Sequence, residues 1–158
     1  MMKVFISHKQ EDDIFAKFVH RAFALHGVES YLDLLDESIV KSGEALTTHI
    51  KNQLNTCTDI IVVMSEKTRF SWWVPFEIGM AAQIDMPTAT YLTSRTDLPE
   101  YLEYWPRLMS TSDIATYISV RNETAHQIRK NFPYTYTQQS LRAIETHNFY
   151  KNLKQKLR

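Results

Sequence analysis

A chain of 158 residues, 44% apolar and 23% charged, has the length and composition of one globular core. Its 18 basic and 18 acidic side chains cancel, so no global charge argues for nucleic acid or an anionic membrane as partner. The single cysteine, Cys57, can form no internal disulfide, and the apolar run 1–7 is too short for a signal peptide or membrane span. A soluble protein of the reducing cytoplasm is therefore expected.

Short apolar runs alternate with longer amphipathic stretches along the chain. Lys3 to Ile6 has the pattern of a buried strand. From Glu11 to His26 the spacing predicts a helix with Ile14, Phe15, Phe18, Val19, Ala22 and Phe23 on one inward face, its acidic start favoured by the helix dipole. Gly27 stops that helix, and Val28 to Leu32 forms a second strand ending at Asp33. An irregular acidic stretch, 34–42, precedes Gly43 and a helix to about Asn55. Asp59 to Met64 is the strongest β-branched run and is expected to be a central parallel strand. A helix from Trp73 to about Ile84 follows, then a strand over Pro87 to Leu92. A connection with Pro99 and Pro106 leads to a short strand near Leu108 and a helix from Ser112 to Lys130. After a loop over Asn131 to Thr137, a last helix extends from Gln138 to Arg158, its charges mostly basic. Covering a sheet edge, with its lysines in water, is the preferred role for that helix; an acidic partner is the other.

Strands separated by helices imply βαβ units and an α/β fold: a flavodoxin-like, doubly wound, five-stranded parallel sheet with a C-terminal helical extension. The domain is expected over 1–130, and 131–158 as a loop and helix packed on it or extending it. Ligands of such sheets bind beyond the carboxyl ends of the strands. Ser7, His8, Asp33 and Ser65 stand at that edge. Several functions of this architecture are excluded. No glycine-rich dinucleotide fingerprint or Walker A loop is present, and the whole chain has three glycines. The acidic pair of a phosphoacceptor receiver is replaced by Ser7-His8, and no Gly-x-Ser-x-Gly elbow appears. The six histidines lack ligand spacing, so no metal and no bound cofactor is expected.

The segment Ser71-Trp72-Trp73-Val74-Pro75-Phe76-Glu77 is the most informative. Glu77 lies one helical turn beyond Trp73, so an indole and a carboxylate project from one face. Such a carboxylate is partly desolvated. It can face a developing cation as a bare charge, or have its pKa raised for acid–base work.

Three blocks in series resemble the Toll/interleukin-1 receptor (TIR) domain family, in its enzymatic bacterial and plant-like branch. They are Val4-Phe5-Ile6-Ser7-His8 with the acidic residues after it; Tyr31-Leu32-Asp33 with the loop to Ser42-Gly43-Glu44; and Ile60 to Ser65 with Trp72-Trp73-x-x-x-Glu77. The resemblance covers roughly residues 3 to 120. It implies an enzyme that cleaves the nicotinamide–ribose bond of NAD, with Glu77 as the catalytic glutamate. Nicotinamide leaves as a neutral base, so one carboxylate stabilising the ribosyl cation suffices without a general acid. Ser7, His8, Asp33, Leu46 and Trp73 are the substrate-binding candidates. Their competing roles are strand-end capping for Ser7 and His8, a turn for Asp33, helix packing for Leu46 and core packing for Trp73. The chain is similar to the free-standing TIR proteins of Thoeris-type anti-phage systems, which implies a cyclic or conjugated ADP-ribose signal sensed by a downstream effector protein. Seven aromatics fall in or after the Glu77 helix (Trp72, Trp73, Phe76, Tyr91, Tyr101, Tyr104 and Trp105); several of them closing over the pocket would make water a poor competitor, and packing into the core is the competing account of the same residues. The family also implies self-association through the BB loop, here 34–42. A non-catalytic adaptor acting by TIR–TIR association is the alternative, and a nucleoside deoxyribosyltransferase-like enzyme a more distant one.

Overall fold

The structure is a computed structural model, and it describes residues 1–32, 42–131 and 137–157. Its strands are β1 (Lys3–Ser7), β2 (Glu29–Leu32), β3 (Asp59–Met64), β4 (Thr88–Leu92) and β5 (Arg107–Leu108). They form one parallel five-stranded sheet in the order β2-β1-β3-β4-β5. The helices are α1 (Asp13–Leu25), α2 (Gly43–Thr56), α3 (Trp73–Gln83), α4 (Thr111–Asn131) and α5 (Gln138–Lys156). The doubly wound α/β architecture expected from the pattern is the one observed.

Strand alternation divides the core in two. Val4, Ile6, Ile61, Val63, Ala89 and Tyr91 pack against α1, α4 and α5. Phe5, Ile60, Val62, Met64 and Leu92 pack against α2 and α3. All six residues of β3 are buried, which is what a β-branched central strand with both faces covered requires. Register sets Ser7 beside Val62, and Val62 beside Thr90, so the carboxyl ends of β1, β3 and β4 open on one edge.

Local chemistry fixes the helix ends. Gly27 adopts φ +69, and its N–H and that of Val28 return to the carbonyls of Ala24 and Phe23, closing α1 as a left-handed glycine does. Ser42 Oγ accepts the Ala45 N–H at 3.2 Å at the start of α2, and Thr137 Oγ1 accepts the Ser140 N–H at 3.2 Å at the start of α5.

The inward face expected of α1 is only half right. Val19, Ala22 and Phe23 join Ala16 in the core, whereas Ile14, Phe15 and Phe18 are 81%, 42% and 45% exposed. The helix carries apolar residues on more than one side. Residues 16, 19 and 23, at helical spacing, define the buried side, which leaves Ile14 and Phe18 outside it.

Helix α5 docks against α4 and the amino-terminal end of β4. Phe149 and Leu153 are fully buried. Thr146 Oγ1 donates to the Asp85 carbonyl at 2.7 Å, and Tyr150 Oη accepts the Thr88 N–H at 2.8 Å. Below them Asp59, fully buried, accepts from Tyr117 Oη at 2.8 Å and Arg121 Nε at 2.9 Å, and Arg121 also donates to Glu145 of α5. No described helix is long and apolar enough to cross a membrane.

Candidate active site

Glu77 sits in the second turn of α3 and is 2% exposed. Its position follows from two features of sequence. Ser71 Oγ accepts the N–H groups of Trp73 and Val74, both at 3.3 Å, which starts the helix at Trp73. Four residues on, the helical repeat turns Glu77 toward the carboxyl edge of the sheet.

Ser7 and Trp73 are among the side chains that orient the carboxylate. Ser7 Oγ, from the last residue of β1, donates a short hydrogen bond to Oε2. Trp73 Nε1 donates to Oε1 at 3.1 Å. A hydroxyl and an indole N–H fix a carboxylate's rotamer without cancelling its charge. Trp73 packs edge-on against Trp72, with ring centroids 5.1 Å apart, and against Phe76 at 5.0 Å. Trp72 is 78% exposed and Phe76 38%, so aromatic surface extends from the buried carboxylate to solvent. The arrangement suits holding a negative charge beside a flat, cationic or cation-forming ligand.

The remaining candidates separate. His8 lies past the end of β1, where Nε2 meets Asp13 Oδ1 at 2.7 Å. Its ring is 2% exposed, and Nδ1 is buried without a hydrogen-bond partner. Burial opposes ionisation of Asp13, but the bond to His8, its charge and Lys17 outweigh this and hold the carboxyl below its ordinary range. His8 thus reaches toward the start of α1, while Ser7 reaches Glu77. Leu46 is half-buried in α2 and packs on the cluster around Phe5 and Ile50. Asp33, and residues 34–41 of the expected association loop, lie outside the described residues.

The seven aromatics divide between the two accounts. Of the seven aromatics, Trp72, Trp73 and Phe76 flank Glu77. Tyr91 belongs to the opposite face of the sheet, and Tyr104 meets Tyr150 of α5 edge-on. Trp105 lines a cavity there with Tyr104 and Tyr150. Tyr101 lies in the 3-10 turn Glu100–Leu102 and is 41% exposed. Sequence order after Glu77 does not carry a residue to the same site: Tyr91 ends β4 at that edge but on the other face of the sheet, and Tyr104 and Trp105 precede β5 and pack beside α5.

Sequence reasoning missed Asp12, treated there only as a helix-start acid. It is 2% exposed and accepts from Ser65 Oγ at 2.6 Å and from Thr68 Oγ1 in a short bond. This carboxylate ties the connection leaving β1 to the one entering α3, and so supports the segment carrying Trp73 and Glu77. Among the described residues no group of three or more His, Cys, Asp or Glu side chains is placed to hold a metal ion.

Comparison with known proteins agrees with this architecture. A family model described as a TIR domain matches residues 4–131. No curated protein matches the chain. Among solved structures, the TIR domain of the Toll-related receptor TRR-2 from Hydra magnipapillata superposes with a TM-score of 0.56 at 15% identity, covering 78% of this chain and 95% of that one. The TIR domains of the activated Roq1 resistosome, which directly recognises the pathogen effector XopQ, align over 99% of this chain and 98% of that chain, with a TM-score of 0.46 at 15% identity.

Proposed function

Since this chain belongs to the TIR domain family, we propose that it cleaves NAD between nicotinamide and ribose, with Glu77 as the catalytic carboxylate. The observation that carries the reading is the Ser7–Glu77–Trp73 arrangement: a buried carboxylate, both oxygens oriented by neutral donors, beside an indole at the ligand edge of the sheet. The C1′–N bond breaks with its electron pair leaving on nicotinamide, which departs neutral. The positive charge developing on the ribose is what the carboxylate stabilises. A nucleophile then closes the reaction at C1′. Water gives ADP-ribose and a proton; a ring nitrogen of the adenine gives a cyclic product; a second molecule gives a conjugate.

Trp73 forms a wall of the nicotinamide site, and Ser7 fixes the carboxylate. Trp72 and Phe76 supply the apolar surface that disfavours water as acceptor. The product in this reading is a cyclic or conjugated ADP-ribose, read by a separate effector protein in cytoplasmic anti-phage signalling. His8, Asp33 and Leu46 are the secondary substrate contacts, and 34–42 is the segment through which copies associate.

Incubation with NAD, chromatography and mass spectrometry of every product test this directly. Glu77→Gln nearly preserves side-chain volume, so the fold holds while turnover falls by at least ~10²-fold, the loss typical of one deleted electrostatic stabiliser. Wild-type-like NAD consumption by folded Glu77→Gln would remove Glu77 from the role. Intact NAD with an assembled wild-type protein would instead favour the adaptor reading. Linear ADP-ribose as nearly the whole product would sink the cyclic or conjugated assignment alone.

A further inference from the structure

Helices α1 and α3 close on the same backbone turn, but with different residues at its left-handed position. At the end of α1 that residue is Gly27, with φ +69; its N–H bonds the Ala24 carbonyl at 2.9 Å, and the Val28 N–H bonds Phe23 at 3.1 Å. At the end of α3 the same two bonds run from Asp85 to Ala82 at 3.1 Å and from Met86 to Ala81 at 3.0 Å, and Asp85 has φ +53. Glycine is the ordinary residue for this position, which costs a side chain strain. The turn itself therefore gives no reason for an aspartate. Its carbonyl accepts from Thr146, which the carbonyl of any residue would do. Among the described residues no hydrogen bond or ion pair holds its carboxylate.

Asp85 lines a cavity of about 300 Å³ between the end of α3 and α5, by the amino ends of β4 and β5. Tyr104, Trp105 and Tyr150 line it too, with Met86 and Thr146. The Tyr104 ring stands at 85° to Trp105 and 84° to Tyr150, with centroids 5.8 and 6.3 Å apart. Rings set at right angles beside a carboxylate favour a cation, because ring faces and carboxylate are all electronegative. An ammonium already uses one of these walls: Lys154 Nζ lies 5.3 Å from the centre of the Tyr104 ring.

We infer that this cavity binds a small organic monocation of the alkylammonium class, its charge against Asp85 and its alkyl groups against the three rings. The volume lies at the low end of ligand pockets, which run from roughly 300 to 1,000 Å³, so it admits few heavy atoms. Arg142 and Lys154 bracket the lining residues of α5. Each is bonded to a backbone carbonyl rather than a carboxylate, Arg142 to Ile84 at 3.4 Å and Lys154 to Tyr104 at 2.8 Å. Their charges disfavour a polyamine, whose further ammonium groups would extend beyond the cavity. His147 lines the cavity as well, and adds to that repulsion only when protonated. The site stands apart from NAD cleavage, since Glu77 lies toward the other end of α3, at the carboxyl edge of the sheet.

Thermal melts and isothermal titration calorimetry at pH 8 test this with choline and propylammonium. The control is 3,3-dimethylbutan-1-ol, which has the shape of choline without its charge. Both cations are expected to bind saturably and to raise the melting temperature beyond sodium chloride of equal ionic strength. The neutral alcohol is expected to bind at least ~10-fold more weakly than choline, and spermidine no more tightly than propylammonium. Asp85→Asn keeps a residue suited to the left-handed turn, and Tyr104→Leu removes a ring that is 64% exposed. Each weakens binding at least ~10-fold, with circular dichroism verifying the fold. Asp85→Gly raises the melting temperature of the ligand-free protein and removes the response to both cations, separating the backbone strain of Asp85 from its use. Failure of both cations to bind overturns the inference. So does an alcohol that binds as well as choline, which would make the cavity merely apolar, or a folded Asp85→Asn protein with wild-type affinity. Spermidine binding more tightly than either monocation overturns it as well.

Discussion

At the scale of single residues, the site draws on how Ser7 and Trp73 hold the Glu77 carboxylate. The Ser7 hydroxyl and the Trp73 indole address different oxygens of Glu77, so each can be removed separately. A hydrogen bond to a charged group contributes about 1.5–3 kcal/mol, so Ser7→Ala is expected to lower NAD turnover roughly 10- to 100-fold with the fold intact. Trp73→Phe keeps an aromatic wall but removes the N–H, and a similar loss is expected in initial-rate assays. Unchanged rates in both would mean that Glu77 needs neither donor. The Trp73–Glu77 pair was legible in the sequence because its spacing is local. Asp12 was not, because its partners Ser65 and Thr68 lie 53 and 56 positions away. Nothing in the pattern Gln10–Asp13 distinguishes a carboxylate that braces another loop from one that favours a helix dipole.

Among the elements, the strands and helices were the most legible part. β3 was visible because four consecutive β-branched residues suit a strand buried on both faces. The side of α1 facing the core was harder to read, since apolar residues surround much of that helix. The connection entering α3 depends on Asp12. Asp12→Ala leaves the buried Thr68 hydroxyl without its acceptor, at about 1–3 kcal/mol, while the part-exposed Ser65 hydroxyl can turn to water. Urea denaturation should register that loss, and hydrogen exchange should quicken over residues 65–72. Undisturbed exchange there would show that the loop is held by other contacts. Tyr150 makes a similar link for α5. Burial pushes its phenol up to about 12, against hydrogen bonds from Thr88 and Trp105 that pull the other way. The folded protein therefore keeps the proton that an unfolded tyrosine releases near pH 10. This contribution to stability is complete below pH 10 and disappears as the pH rises toward 12. Tyr150→Phe should flatten the alkaline limb of the stability curve, measured by thermal melts between pH 9 and 12; an unaltered limb would assign it to other groups.

Across the whole molecule, α5 is built into the core through Phe149 and Leu153 and through the Asp59–Arg121–Glu145 chain of charges. The sequence suggested a basic helix over a sheet edge, but not that a buried aspartate at the start of β3 would anchor it. Tyr117, pushed well above its ordinary range by burial and then by Asp59, remains a neutral donor to that carboxylate. Asp59→Ala strands Arg121, whose side chain is 13% exposed, and is expected to cost about 3–5 kcal/mol in equilibrium unfolding. A loss below about 1 kcal/mol would mean that Arg121 is adequately hydrated or held by Glu145 alone. Deleting residues 137–158 uncovers the surfaces under Phe149 and Leu153, and an aggregated product is the expected result.

The depth of Arg121 also decides how the protein responds to its ionic surroundings. Mobile ions shorten electrostatic reach from about 10 Å at 0.1 M salt to about 3 Å at 1 M, but only where water and ions can enter. Lys3–Glu29 and Lys156–Glu123 are open to that screening, whereas Asp59 is sealed from it. Concentrated sodium chloride should therefore loosen the peripheral ion pairs and leave the anchorage of α5 intact, making salt a reversible means of separating surface electrostatics from core cohesion.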